Sequence, residues 1–149
     1  MNNFLISCCR LLQQYPLVKY RQVISEDKYE LKVLLLGSGT RLDTLLQEIL
    51  INGQLLDTAL YVTVVTSNPG RAAKALLEKA PELKKYAQIC CENNSLSFPD
   101  ESCIYAHINY HALPKAREKF IEVVDAWAGE GYNYVIISTG NDEKNKFYA

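Results

Sequence analysis

KVLLLGSGTRLDTLL, residues 32–46, is the stretch whose reading decides the fold. Val33, Leu34, Leu35 and Leu36 run without a polar interruption, so a strand here has to bury both faces, as strands do in parallel sheets covered on both sides. Gly37-Ser38-Gly39 breaks the run. Beyond it Leu42, Leu45, Leu46, Ile49 and Leu50 recur at i, i+3, i+4, i+7 and i+8, which puts one apolar stripe on a helix. The unit is a strand, a tight glycine turn and a helix. Glycine at 37 and 39 lets the main chain take angles other residues avoid and lets a ligand approach the backbone. The helix aims unpaired N–H groups and the positive end of its dipole at the turn. An anion is stabilised in such a place, and the guanidinium fork of Arg41 can meet a phosphate beside it.

Composition bounds the remainder. The chain has 149 residues, nearly half of them apolar and 22% charged, which suits one globular domain with a substantial core. A net charge of −1 with no basic stripe gives no electrostatic footprint for nucleic acid. The apolar runs are too short to span a bilayer, so no membrane partner is expected and the cytoplasm is the expected location. The five cysteines, Cys8, Cys9, Cys90, Cys91 and Cys103, lack a C-x-x-C spacing and read as reduced thiols.

Outward from the opening unit, strands and helices alternate. Phe4, Cys8, Leu11, Leu12 and Tyr15 hold helical spacing ahead of Pro16, and Pro16 to Glu30 reads as a connection. Asn52-Gly53 ends the first domain helix. LYVTVVT, residues 60–66, is the second strand, closed by Ser67-Asn68-Pro69-Gly70. Arg71 to Tyr86 is helical, with Pro81 opening a second short helix, and Ile89-Cys90-Cys91 is a brief apolar run. Glu92 to Ser102 reads as a loop. CIYAHINY, residues 103–110, is the third strand, Pro114 to Trp127 a helix, and YVIIS, residues 134–138, the fourth strand. Thr139-Gly140-Asn141-Asp142 then turns into a fresh helix.

This order predicts a three-layer α/β domain over residues 31–149, with a parallel sheet in the order 3-2-1-4 and an extra helix and connection in residues 1–30. Right-handed crossovers give that order, and they place the site at the carboxyl ends of the strands. Gly37, Ser38, Gly39, Thr40 and Arg41 then meet Thr66, Ser67 and Asn68 and also Thr139, Gly140 and Asn141. These are the candidate ligand-binding residues. No acid follows the second strand, where one would accept from ribose hydroxyls. The neutral acceptors there, with Arg71 beyond, suit a 2′-phosphate. A metal set from Cys90, Cys91, Cys103 and His107 is conceivable. A chain stopping soon after the fourth strand is expected to be part of a longer protein, completed by a further domain or by a homodimer.

The region 32–149 resembles Rossmann NAD(P)-binding domains, and in particular the regulatory nucleotide-binding domains of potassium-transport proteins. The likeness rests on Gly37 and Gly39 after the first strand and on Thr139-Gly140-Asn141-Asp142-Glu143-Lys144-Asn145 after the fourth. It departs at Leu42, where the fingerprint G-x-G-x-x-G has glycine. The resemblance implies binding of a nucleotide-type small molecule, NAD or NADP, as the regulatory or cofactor-binding part of a larger protein. Gly37–Leu46, Ser67-Asn68 and Asn109-Tyr110-His111 with Leu113-Pro114 are also similar to glycinamide ribonucleotide formyltransferase. That likeness implies Asn109 on a formyl oxygen and His111 in proton transfer, with Asp142 as the partnering carboxylate. VLLLGSGT further resembles the first motif of S-adenosylmethionine-dependent methyltransferases.

Overall fold

The Val33–Leu36 run forms the buried centre of a sheet. The structure is a computed structural model that describes residues 12–37, 40–55, 57–92, 94–97, 99, 104–113, 122, 125, 126, 131–138 and 146–148. The elements are β1 (Gln22–Ser25), β2 (Lys28–Gly37), α1 (Thr40–Asn52), β3 (Thr58–Thr66), α2 (Pro69–Lys79), α3 (Leu83–Tyr86), β4 (Ala87–Cys91), β5 (Asn94–Ser95), β6 (Ala106–Ala112), β7 (Tyr134–Ser138) and β8 (Lys146–Tyr148). The α/β class expected from the sequence holds.

All of these strands join one mixed sheet in the order β5-β4-β6-β3-β2-β7-β8, with β1 also paired to β2. Parallel pairing links β4, β6, β3, β2 and β7. The sheet therefore differs from the four-strand parallel sheet expected. Ile89-Cys90-Cys91, read as a brief apolar run, belongs to a full parallel strand, β4. It does not sit beside β3, which precedes it in the chain, because β6 lies between them and pairs with both. Two further differences involve the edges. Pro16–Glu30, expected as a connection, contains a 3₁₀ turn at Leu17–Tyr20, the strand β1 and the start of β2. Lys146–Tyr148, expected in a helix, instead forms β8, antiparallel to β7 through Val135↔Tyr148 and Ile137↔Lys146. Phe147 and Tyr148 favour strands, and pairing there satisfies backbone groups that β7 would otherwise leave open at the edge. Asn94–Ser95 likewise forms a two-residue strand inside the expected loop and covers β4.

Alternation along each strand sorts the side chains onto two faces. Leu31, Val33 and Leu35 of β2 share one core with Leu60, Val62 and Val64 of β3, Ile108 and Tyr110 of β6, and Tyr134 of β7. The expected stripe of α1 closes this core: Leu42, Leu45, Leu46, Ile49 and Leu50 are all at most 5% exposed. Each such burial contributes about 1.5–3 kcal/mol before the loss of conformational freedom is counted. Ala73 and Leu76 of α2 pack into the same cluster, so α1 and α2 cover the same face. Leu34, Leu36, Val65, Val135 and Ile137 form a smaller core on the other face. The N-terminal residues dock over β7. Leu12 is 6% exposed, Tyr20 meets the Tyr134 ring edge-on at 5.3 Å, and the Tyr134 hydroxyl donates to the Tyr15 carbonyl at 2.9 Å.

Candidate functional site

Register fixes where the strand ends lie. Leu36 pairs with Val65 and Gly37 with Ser138, so the ends of β3, β2 and β7 stand side by side. The candidate residues Gly37 and Thr66 are thereby neighbours at the carboxyl edge. Gly37 has φ of +154°, in the region that favours glycine, so the strand leaves the sheet on a backbone closed to most side chains. Thr40 and Arg41 open α1. Ser38, Gly39, Thr139, Gly140, Asn141 and Asp142 lie outside the described residues, so their convergence on the site is not among the contacts described.

At this edge a cleft of about 280 Å³ opens between α1 and α2, lined by Leu42, Asp43, Thr66, Ser67, Asn68, Arg71, Ala72 and Ala75. Three sequence-expected residues, Thr66, Ser67 and Asn68, are brought together in it. Thr66 is buried at 3% exposure, while Ser67 and Asn68 are exposed at the rim. The Asn68 side-chain oxygen accepts from the Arg71 backbone N–H at 3.1 Å, an N-cap for α2, with Pro69 at the first helical position. Leu42, which stands where the fingerprint has glycine, is 2% exposed and forms part of the cleft wall as well as the core.

Asp43 is the residue that sequence reading missed. No acid follows the second strand, but the first turn of α1 supplies one to the same cleft. Its i+1 position after the buried Leu42 was visible in the sequence; that it faces the end of β3 was not, because helix packing decides that. Burial raises the Asp43 carboxyl above its ordinary pKa, and the Lys79 ammonium opposes the rise. Tyr110 of β6, in the core that α1 and α2 cover, is 1% exposed, and its hydroxyl has no hydrogen-bond partner among the described residues. Burial, and then the charges of Asp43 and Cys91, hold this phenol protonated far beyond the usual range.

The other candidates fall elsewhere. Ala106, Ile108 and Tyr110 face α1 and α2, so His107, Asn109 and His111 point to the opposite face of β6. Asn109 and His111 therefore share a face with each other but not with the cleft. His107 stacks on Tyr61, its cross-strand neighbour, at 4.8 Å between ring centroids, and burial lowers its pKa. Cys90 and Cys91 are free thiols. Among the described residues no group of three or more His, Cys, Asp or Glu could hold a metal, and Cys103 of the conceivable metal set lies outside them. Nor is any helix among them long and apolar enough to cross a membrane.

A larger and more open hollow, about 760 Å³, lies at the amino ends of β2 and β3, between Ile24, Tyr29, Leu55, Asp57 and Tyr105. Size favours it, but parallel sheets gather ligands at their carboxyl ends, where loops and helix starts present free N–H groups. Chemistry therefore favours the smaller cleft. No protein-family model matches the chain, and no match to it is found among the curated proteins or the solved structures.

Proposed function

We propose that this chain is a Rossmann-like nucleotide-binding domain, the regulatory or cofactor-binding part of a larger cytoplasmic protein, taking a nucleotide of the NAD(P) type. The observation that carries the proposal is the single cleft in which Thr66, Ser67 and Asn68 meet the first turn of α1 and Arg71. Topology supports it. The four strands read from the sequence lie as β6-β3-β2-β7, so the chain reverses direction across the sheet at β2. Crevices at such reversals receive ligands. A volume of about 280 Å³ is at the small end of ligand sites. It suits a mononucleotide portion, with the remainder of a dinucleotide reaching over Gly37 toward the end of β7.

The test is a thermal-shift screen of the full chain with NAD, NADP, AMP, ATP and S-adenosylmethionine. A ligand at a hundred times its dissociation constant stabilises the folded state by about 2.7 kcal/mol. For a chain of this length that is a rise of about 5–10 °C. Arg71→Glu, at an exposed position, is expected to remove the rise while leaving the unliganded melting temperature in place. A screen in which none of the five raises it refutes the proposal, and a response to S-adenosylmethionine alone replaces it with a methyl-transfer reading.

A further inference from the structure

Among the residues that line the cleft, Asp43 and Arg71 carry charge, and the two charges are opposite. Asp43 sits in the first turn of α1 and offsets the positive end of that helix. The first turn of α2 carries no acid, and Arg71 adds a positive charge there. Arg71 is exposed and forms no ion pair among the described residues. A phosphate is therefore attracted to the α2 side and repelled from the Asp43 side. What belongs beside Asp43 is a neutral group with hydrogens to donate. A carboxylate offers two oxygens and accepts from two hydroxyls at once.

A second observation points to the same corner. Tyr110 is 1% exposed, and its hydroxyl is the buried side-chain polar atom left without a partner among the described residues. Such an orphan costs free energy and calls for an explanation. Asp43, whose charge acts on this hydroxyl, lines the cleft. A carboxylate that accepts from a ligand still has lone pairs for a second donor such as the Tyr110 hydroxyl.

Resting on the nucleotide reading above, we infer that the cleft is polar along its length: it takes the anionic group of its ligand at Arg71 and the start of α2, and a vicinal diol at Asp43, with Tyr110 as the residue that positions the carboxylate. Asp43 thus fills, from a helix, the role that the end of β3 leaves empty. The arrangement selects a free 2′-hydroxyl over a 2′-phosphate, the reverse of what Thr66, Ser67, Asn68 and Arg71 suggest when taken without Asp43.

Titration calorimetry of the full chain with AMP, 2′,3′-dideoxy-AMP and ribose 5-phosphate tests this. AMP is expected to bind at least about tenfold tighter than its dideoxy analogue, the worth of one hydrogen bond to a charged group. That ratio should fall to near one in Asp43→Asn and in Asp43→Ser, and should shrink in Tyr110→Phe, while Arg71→Glu weakens both ligands alike and keeps the ratio. A purely structural role for Tyr110 would leave the ratio untouched. Equal binding of AMP and dideoxy-AMP by the unaltered protein overturns the diol assignment and leaves the nucleotide reading standing. So does a ratio that survives both Asp43 variants. If ribose 5-phosphate binds as tightly as AMP, the diol assignment holds and the base is not recognised. If none of the three binds, both readings fall.

Discussion

Replacing Tyr110 by phenylalanine should stabilise this protein. The ring keeps its place among Ile108 and Ile89 in the core, and only the hydroxyl oxygen goes. That oxygen is buried with no partner among the described residues, and an unpaired buried hydroxyl costs about 1–3 kcal/mol. Against this stands the loss of a few atom contacts at about 0.1–0.2 kcal/mol each. The balance is a gain of about 1 kcal/mol, or about 2–4 °C in melting temperature. Alkali supplies a second reading of the same atom. The folded protein holds Tyr110 protonated above its ordinary range, so this group's stabilising effect is complete below the unfolded tyrosine pKa of about 10 and is lost as pH rises beyond it. Wild type should weaken above that pH, with Tyr134, also raised by burial and then by Tyr20 and Tyr15, contributing in parallel. The phenylalanine variant should weaken less steeply, by up to about 1.4 kcal/mol per pH unit. Urea unfolding between pH 7 and 11 measures both effects. A lower urea midpoint for the variant at pH 7, with an unchanged slope, would show that the hydroxyl is bonded in solution and would remove the orphan from the argument.

Two more outcomes follow from single contacts. Asn68→Ala removes the cap of α2 and should cost about 1 kcal/mol by urea unfolding, with Asn68→Asp restoring most of it; an unchanged midpoint would mean that the bond to Arg71 N–H contributes nothing. His107 and His111 are the protein's two histidines. Because burial lowers the His107 pKa, its stabilising effect is present above about pH 6.5 and is lost as pH falls below that. Proton NMR of the ring signals, assigned with His111→Gln, should place His107 below the ordinary value. A value at or above it would mean that the Tyr61 stack leaves the ring in water.

The local pattern carries much of this domain. The unbroken run Val33–Leu36 and the stripe Leu42 to Leu50 are buried as their spacing demands, because a strand's period of two and a helix's of 3.6 are properties of the chain itself. The Asn68 cap and the glycine-only backbone at Gly37 are equally local, since each depends on one or two residues. Strand pairing is not of that kind. Ala87–Cys91 is a short run whose neighbour is chosen by β6, which follows it by more than a dozen residues and slides between it and β3. The same is true of Lys146–Tyr148 on the edge of β7. The site divides in the same way. Thr66, Ser67 and Asn68 are legible as the end of a strand, but the carboxylate that faces them comes from a helix. Its position depends on how α1 packs against the sheet beside α2, and the partners of that packing are far apart in sequence.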